Sequence, residues 1–289
     1  MFLPAKKAFK LDKNYIQQVV KQALKEDLGK GDITTNTFIP AQKKIKGSIL
    51  AKAAGVLSGA EVAAAVFRTL DPKVKIIFYK QDGQLIKKGQ KLLSLQGSAR
   101  AILSGERVAL NFLQHLSGIA TTTAQFVRSV KGTKTKILDT RKTIPGLRLL
   151  EKYAVKQGGG ENHRLDLAEL VLIKENHLAL CSETLEEKIK SIKKKNRIKI
   201  EIETNTLAKA KDMARLKIDI LMLDNMSLAT MKRAVKIVRK INPKILIEAS
   251  GNVDLKSVHK YARTGVDLIS IGELTHSAKA LDLSLLLDT

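Results

Sequence analysis

The segment Asp139-Thr140-Arg141-Lys142-Thr143-Ile144-Pro145-Gly146-Leu147-Arg148 puts three cations within eight residues, directly after the apolar run Ile137-Leu138. An arginine offers a planar fork for a carboxylate and a lysine a point charge for phosphate, so such a loop suits an oxyanion. It would equally suit a solvated basic loop. A second basic segment, Gly158-Gly159-Gly160-Glu161-Asn162-His163-Arg164, is preceded by a helical pattern. Its consecutive glycines cost backbone entropy, which points to a close approach of backbone to a ligand or a nest of N–H groups around an anion, with His163 and Arg164 as a cationic pair. Lys174 ends the run Val171-Leu172-Ile173. Three roles are open to it: a snorkelling surface lysine, a contact to phosphate or carboxylate, or a Schiff-base nucleophile.

Carboxylates follow. Glu201 and Glu203 alternate with Ile200 and Ile202, so on a strand both face one side. An unpaired carboxylate is costly both in a barrel interior and under a helix layer, so Glu203, at the open end, should meet a cation. Asp224 ends the next run, Leu221-Met222-Leu223. Two carboxylates on neighbouring strand ends suit Mg²⁺, which takes few protein ligands and completes its shell with water and substrate phosphate. Ser250-Gly251-Asn252 and Gly272-Glu273 close the last two runs, where α/β barrels bind phosphate with backbone N–H groups.

The elements that must position these residues are legible as a repeat. Six short apolar runs alternate with segments of helical period near 147–157, 184–195, 207–216, 228–241 and 255–264. That is the pattern of successive βα units around a buried parallel sheet, whose loops gather at one mouth. The first part reads differently. It has a helix over about 14–28 closed by Gly29, strands near 47–53, 74–79 and 84–95, and helices over 59–70 and 101–116, with Ser117-Gly118 as a break. On the last helix Arg107 lies opposite the apolar face of Val108, Phe112 and Leu116. The expected division is an N-terminal α/β domain over 1–116, an α/β barrel domain over 117–275, and a tail over 276–289, apolar enough to dock on something.

At 289 residues the chain can bury a large core. No apolar stretch is long enough for a bilayer, and Met1-Phe2-Leu3-Pro4-Ala5-Lys6-Lys7 has no signal-peptide core, so neither a membrane span nor export is expected. The lone cysteine, Cys181, excludes an intramolecular disulfide, fits a reducing cytoplasm, and is expected buried or half-buried. The formal charge of +24 would suit nucleic acid, but the lysines are spread through the chain and no nucleic-acid-binding signature or zinc-ligand spacing accompanies them. The charge is read as a lysine-rich surface, whose field also draws in anionic small molecules.

With these residues in place, the chain resembles the quinolinate phosphoribosyltransferase family. The resemblance runs over nearly the whole length: Glu26 to Thr34, Gly105-Glu106-Arg107 through Thr121, Asp139 to Arg148, Lys156 to Arg164, and Leu172 to His177. It continues through Glu201-Ile202-Glu203, Leu223 to Met226, Glu248 to Asn252 and Thr275-His276-Ser277. Asp166 and Glu169 depart from the family pattern, outside the residues given substrate contacts. The resemblance implies an N-terminal α/β sandwich, an incomplete TIM-like α/β barrel, and a tail that returns to the first domain. It implies a homodimer with a shared active site, and the formation of nicotinate mononucleotide, pyrophosphate and CO₂ from quinolinate and phosphoribosyl pyrophosphate with Mg²⁺. It assigns Arg141, His163, Arg164 and Lys174 to quinolinate, with Arg107 from the partner subunit, and Lys142 to the pyrophosphate. Glu203 and Asp224 go to the metal and ribose, and Ser250, Gly251, Asn252, Gly272 and His276 to the 5′-phosphate. Lys142, Lys174, Glu203 and Asp224 are the catalytic set. No covalent intermediate is needed, which disfavours the Schiff-base role of Lys174. The alternatives are a related barrel phosphoribosyltransferase acting on another acid, and a basic nucleic-acid-binding protein.

Overall fold

A computed structural model describes residues 11–195 and 198–288; Met1 to Lys7 and the rest of the first ten residues lie outside the described part. The elements are α1 (Lys13–Leu28), α2 (Ile33–Phe38), β1 (Lys44–Ala51), β2 (Gly55–Val56), α3 (Ala60–Leu70), β3 (Lys75–Phe78), β4 (Leu85–Ile86), β5 (Lys91–Ser98), α4 (Ala99–Ser129) and β6 (Lys136–Leu138). They continue with α5 (Arg148–Gln157), β7 (Val171–Ile173), α6 (Glu175–Leu180), α7 (Leu185–Lys195), β8 (Ile200–Thr204), α8 (Leu207–Met213), β9 (Ile220–Asp224), α9 (Leu228–Ile241), β10 (Leu246–Ser250), α10 (Val258–Ala262), β11 (Leu268–Ser270), α11 (Glu273–His276) and β12 (Leu283–Leu287). They form two compact units. One holds the chain up to Ala124, Thr143–Gly159 and the chain from Leu274; the other holds Gln125–Lys142 and Gly160–Glu273.

In the first unit, an antiparallel sheet of order β12-β1-β5-β3 carries the apolar residues Ile49, Ala51, Leu93 and Leu95 into the core. Helix α1 buries Ile16, Val20 and Leu24 and packs on α3. The tail docks as a strand: β12 pairs with β1 from Gly47↔Leu287 to Ala51↔Leu283.

Two expectations need correction. The helix break expected at Ser117-Gly118 is absent, because α4 runs unbroken from Ala99 to Ser129. Gly118 is small for another reason: a Cβ there would lie 2.2 Å from the Lys279 carbonyl oxygen, so the glycine admits the returning tail. Gln114 on the same helix fastens that tail, donating from Nε2 to Leu283 O at 2.8 Å and accepting from Leu281 N at 2.9 Å. Cys181 is exposed rather than buried.

In the second unit, six parallel strands follow the order β6-β11-β10-β9-β8-β7. The first strand pairs with the last, as in a closed barrel, but β6 and β7 stay unpaired with each other, and the barrel is incomplete. Along the open edge of β6, Glu161 makes a single parallel bridge to Leu138. Strands such as Ile220-Leu221-Met222-Leu223 are buried on both faces, which explains their continuous apolar character. At the strands' N-terminal ends, Asp267 accepts from Arg239 and from Ile247 N, a purely structural tie. Among the described residues no helix is long and apolar enough to cross a membrane.

Candidate active site

The parallel sheet brings the C-terminal ends of β6 to β11 to one side of the barrel unit, and most of the expected site residues sit there. Asp139, just past β6 and fully buried, organises the basic segments. It accepts from Asn162 Nδ2 at 2.6 Å and from the His163 backbone N–H at 2.9 Å, which fixes the stretch leading to Arg164. Arg164 is 9% exposed and donates to Leu170 O at 3.0 Å. Burial, then the neighbouring Arg141 guanidinium, lowers its pKa, with Glu201 acting in the opposite sense. Two guanidiniums near enough to repel, one of them largely desolvated, form a site that favours an anion. Lys142 is exposed on the same loop.

The glycines before this segment work differently from expectation. Gly158 packs against α4, where a Cβ would lie 2.4 Å from Ala120 O, and Gly159 turns the chain at φ 87°. Close packing and a helix end account for both without a nest around a ligand.

His163 also departs from a simple cation. Its Nδ1 accepts from the Arg164 backbone N–H at 2.8 Å, so the ring proton sits on Nε2. That atom faces Glu201 at 3.1 Å and Glu248 at 3.6 Å, at ion-pair distance rather than in aligned hydrogen bonds. Both glutamates are fully buried, and they stand on strands separated by β9, so they meet across the barrel interior. Burial first, then the Glu201 carboxylate, pushes the Glu248 carboxyl from 4.5 up to about 8, against the pull of His163 and Ser270. Among the described residues His163, Glu201 and Glu248 form the one cluster with metal-ligand spacing. Yet a protonated Nε2 has no lone pair for a metal, and the cluster reads as a buried polar strut across the barrel interior.

Glu203 and Asp224 fit a metal better. Glu203 meets the cation expected for it, Lys174 Nζ at 2.5 Å, and keeps 17% of its side chain exposed. Asp224, half-buried at the end of β9, accepts from Asn225 Nδ2 at 2.9 Å. Both are oxygen donors on adjacent strands with solvent access, the chemistry Mg²⁺ requires.

The loops after β9 and β10 are joined. Asn225 N donates to Ser250 O at 3.0 Å, and Asn252 Nδ2 lies 3.4 Å from Asn225 Oδ1. Gly251, at φ 96°, has no room for a Cβ, which would fall 2.1 Å from Asn225 Oδ1. Gly272 is half-buried after β11. Arg107 and His276 belong to the first unit. Arg107 is exposed on α4 while Val108, Phe112 and Leu116 are buried, as the helical pattern predicts; His276 is exposed, with Nδ1 2.6 Å from Ser277 Oγ.

The family model of the quinolinate phosphoribosyl transferase N-terminal domain matches residues 32–117, and that of the C-terminal domain matches residues 119–286. The chain belongs to the quinolinate phosphoribosyltransferase family. It is 40% identical to the probable nicotinate-nucleotide pyrophosphorylase (carboxylating) of Bacillus subtilis strain 168, over 93% of this chain and 92% of that protein. The Mycobacterium leprae nicotinate-nucleotide pyrophosphorylase (carboxylating) is 39% identical over 93% of this chain and 96% of its own. Among solved structures, the Francisella tularensis nicotinate-nucleotide pyrophosphorylase superposes with a TM-score of 0.90 at 37% identity, covering 98% of this chain and 99% of its own. NadC from Streptococcus pyogenes gives 0.89 at 39% identity, covering 97% and 99%.

Residues that sequence reasoning did not assign are Glu248, Asn225 and the anchoring role of Asp139. Glu248 carried a signal, a carboxylate inside the otherwise apolar run Ile245-Leu246-Ile247.

Proposed function

We propose that this chain transfers the phosphoribosyl group of phosphoribosyl pyrophosphate to the ring nitrogen of quinolinate, with decarboxylation, in de novo NAD biosynthesis. Its observational support is the crowded guanidinium pair Arg141 and Arg164 in the barrel unit that also carries Glu203 and Asp224 on adjacent strand ends. Quinolinate has two carboxylates, which Arg141, Arg164 and Lys174 bind and orient, with His163 holding the backbone of Arg164 in place. Lys142 receives the pyrophosphate. Ser250, Gly251, Asn252, Gly272 and His276 hold the 5′-phosphate. Glu203 and Asp224 would hold Mg²⁺, which supplies charge neutralisation to the departing pyrophosphate.

The quinolinate nitrogen lone pair forms the bond to the ribose C1 as the C1–oxygen bond breaks and its electrons leave with pyrophosphate. Fixed cations aimed at the developing charge lower this barrier. The ring is then a pyridinium. When the 2-carboxylate leaves as CO₂, its bonding pair stays at C2 beside the cationic nitrogen, and a proton from solvent replaces it. None of these steps requires Lys174 as a nucleophile. The working compartment in this reading is the cytoplasm.

Incubation with quinolinate, phosphoribosyl pyrophosphate and Mg²⁺ should release CO₂ and nicotinate mononucleotide in equal amounts, and nicotinate should be a poor substitute. Comparable kcat/KM for nicotinate would point instead to a phosphoribosyltransferase for a monoacid.

The reading includes a homodimer in which Arg107 of one copy completes the quinolinate site of the other. An exposed arginine is worth no more than about 0.5 kcal/mol to stability, so Arg107→Ala should fold normally. It should nevertheless weaken quinolinate binding by about 1.5–3 kcal/mol, the worth of a charge-assisted contact. Mixing it with Arg141→Ala protein creates heterodimers with one doubly damaged site and one intact site. Activity should reappear after subunit exchange; proven exchange without recovery would place each site within a single chain.

A further inference from the structure

We infer that Asn225 is a positioning residue, a clamp that sets the spacing between the Asp224 carboxylate and the loop Ser250-Gly251-Asn252. The inference rests on the proposed function, in which these two groups hold opposite ends of the phosphoribosyl donor.

Among the described residues, Asn225 and Asn252 are the non-glycine residues with positive φ, at 50° and 47°. Asparagine tolerates this region better than most side chains, but two such residues in contact on neighbouring loops are uncommon, and strained backbone gathers where a site must be held in one geometry. The left-handed turn lets Asn225 do three things. Its backbone N–H donates to Ser250 O at 3.0 Å, extending by one residue the β9–β10 ladder that ends at Ser250↔Asp224. Its side-chain Nδ2 donates to Asp224 Oδ2 at 2.9 Å. Its Oδ1 faces Asn252 Nδ2 and occupies the space where a side chain on Gly251 would begin. One amide thus touches the carboxylate on one side and the glycine loop on the other. With Nδ2 fixed on Asp224, Oδ1 can meet the loop only at a set separation. The geometry suits a donor whose ribose hydroxyls and 5′-phosphate must be held at once, and it makes no demand on quinolinate.

The variant Asn225→Gly separates the amide from the backbone. Glycine adopts φ 50° freely and keeps the N–H to Ser250, so only the side-chain clamp is lost. We expect an unchanged melting temperature and a quinolinate affinity within about twofold of wild type by calorimetry, while KM for phosphoribosyl pyrophosphate rises roughly tenfold or more and kcat falls, as for loss of a hydrogen bond to a charged group. Asn225→Asp, nearly the same shape, sets a like charge against Asp224 and should be at least as impaired. Wild-type values for phosphoribosyl pyrophosphate in Asn225→Gly would overturn the inference, and so would equal losses toward both substrates. If the wild-type protein forms no mononucleotide, the functional reading fails by itself. The clamp is then judged by titrating ribose 5-phosphate with Mg²⁺ into both proteins, and equal affinities sink it.

Discussion

Asp224→Asn should lower kcat by about two to three orders of magnitude, the scale found when a group stabilising transition-state charge is removed. Quinolinate affinity should stay near wild type, because the guanidiniums proposed to bind it are untouched. The carboxylate ends β9, pairs in register with Ser250, and is half-buried. An amide of the same shape can still lie beside Asn225 but brings no charge to a cation. Chelation of divalent metal should abolish turnover in wild type, with Mg²⁺ restoring it, while added Mg²⁺ should not rescue the variant. Single-turnover rates with quinolinate binding measured separately would decide the matter; a variant as fast as wild type would remove Asp224 from the site.

The second large effect concerns stability. His163→Ala should cost roughly 3–5 kcal/mol in chemical denaturation, because it removes the imidazole N–H from two fully buried carboxyl groups. The same cluster sets a pH dependence. Glu248 has its folded pKa raised from 4.5 to about 8, so the folded state holds a proton that the unfolded state has released between those values. Stability therefore falls as pH rises through that window and levels off above it. Glu248→Gln keeps the neutral shape and should remove much of the slope. A slope unchanged in Glu248→Gln would mean that some other group carries it.

The barrel was legible because its strands are buried on both faces, so runs such as Leu221-Met222-Leu223 stand out from helical neighbours. Helix α9 is legible at its observed ends, 228–241, from an apolar stripe that the structure buries at Met231, Ala234, Val235 and Val238. Polar residues at the ends of those strands had to fall at one mouth once the strands were parallel, and this made Lys174, Glu203, Asp224 and Ser250 visible as a group. Three things were hidden, each for a physical reason. Gly118 looks like a helix breaker, whereas its smallness answers to the Lys279 carbonyl, which lies far along the chain. Helix α2 has no apolar stripe; its one local sign is Asp32, which caps it by accepting from Thr35 N at 2.9 Å. The meeting of Glu201, Glu248 and His163 depends on curvature that brings β8 and β10 together across the interior, and no local pattern encodes that.

The pairing of β12 with β1 has a consequence for how the protein is made. Gly47–Ala51 leaves the ribosome early, but Leu283–Leu287, which covers its edge, is synthesised only after the whole barrel sequence. Until then, that edge of β1 displays unpaired backbone groups beside an apolar core, the kind of surface on which nascent chains stick to one another. The barrel's strands, by contrast, mostly find neighbours close behind them in the chain. Assembly should therefore proceed out of sequence, with the middle of the polypeptide settling before its beginning does. In that order, the tail acts as the final fastener on the first sheet to be translated.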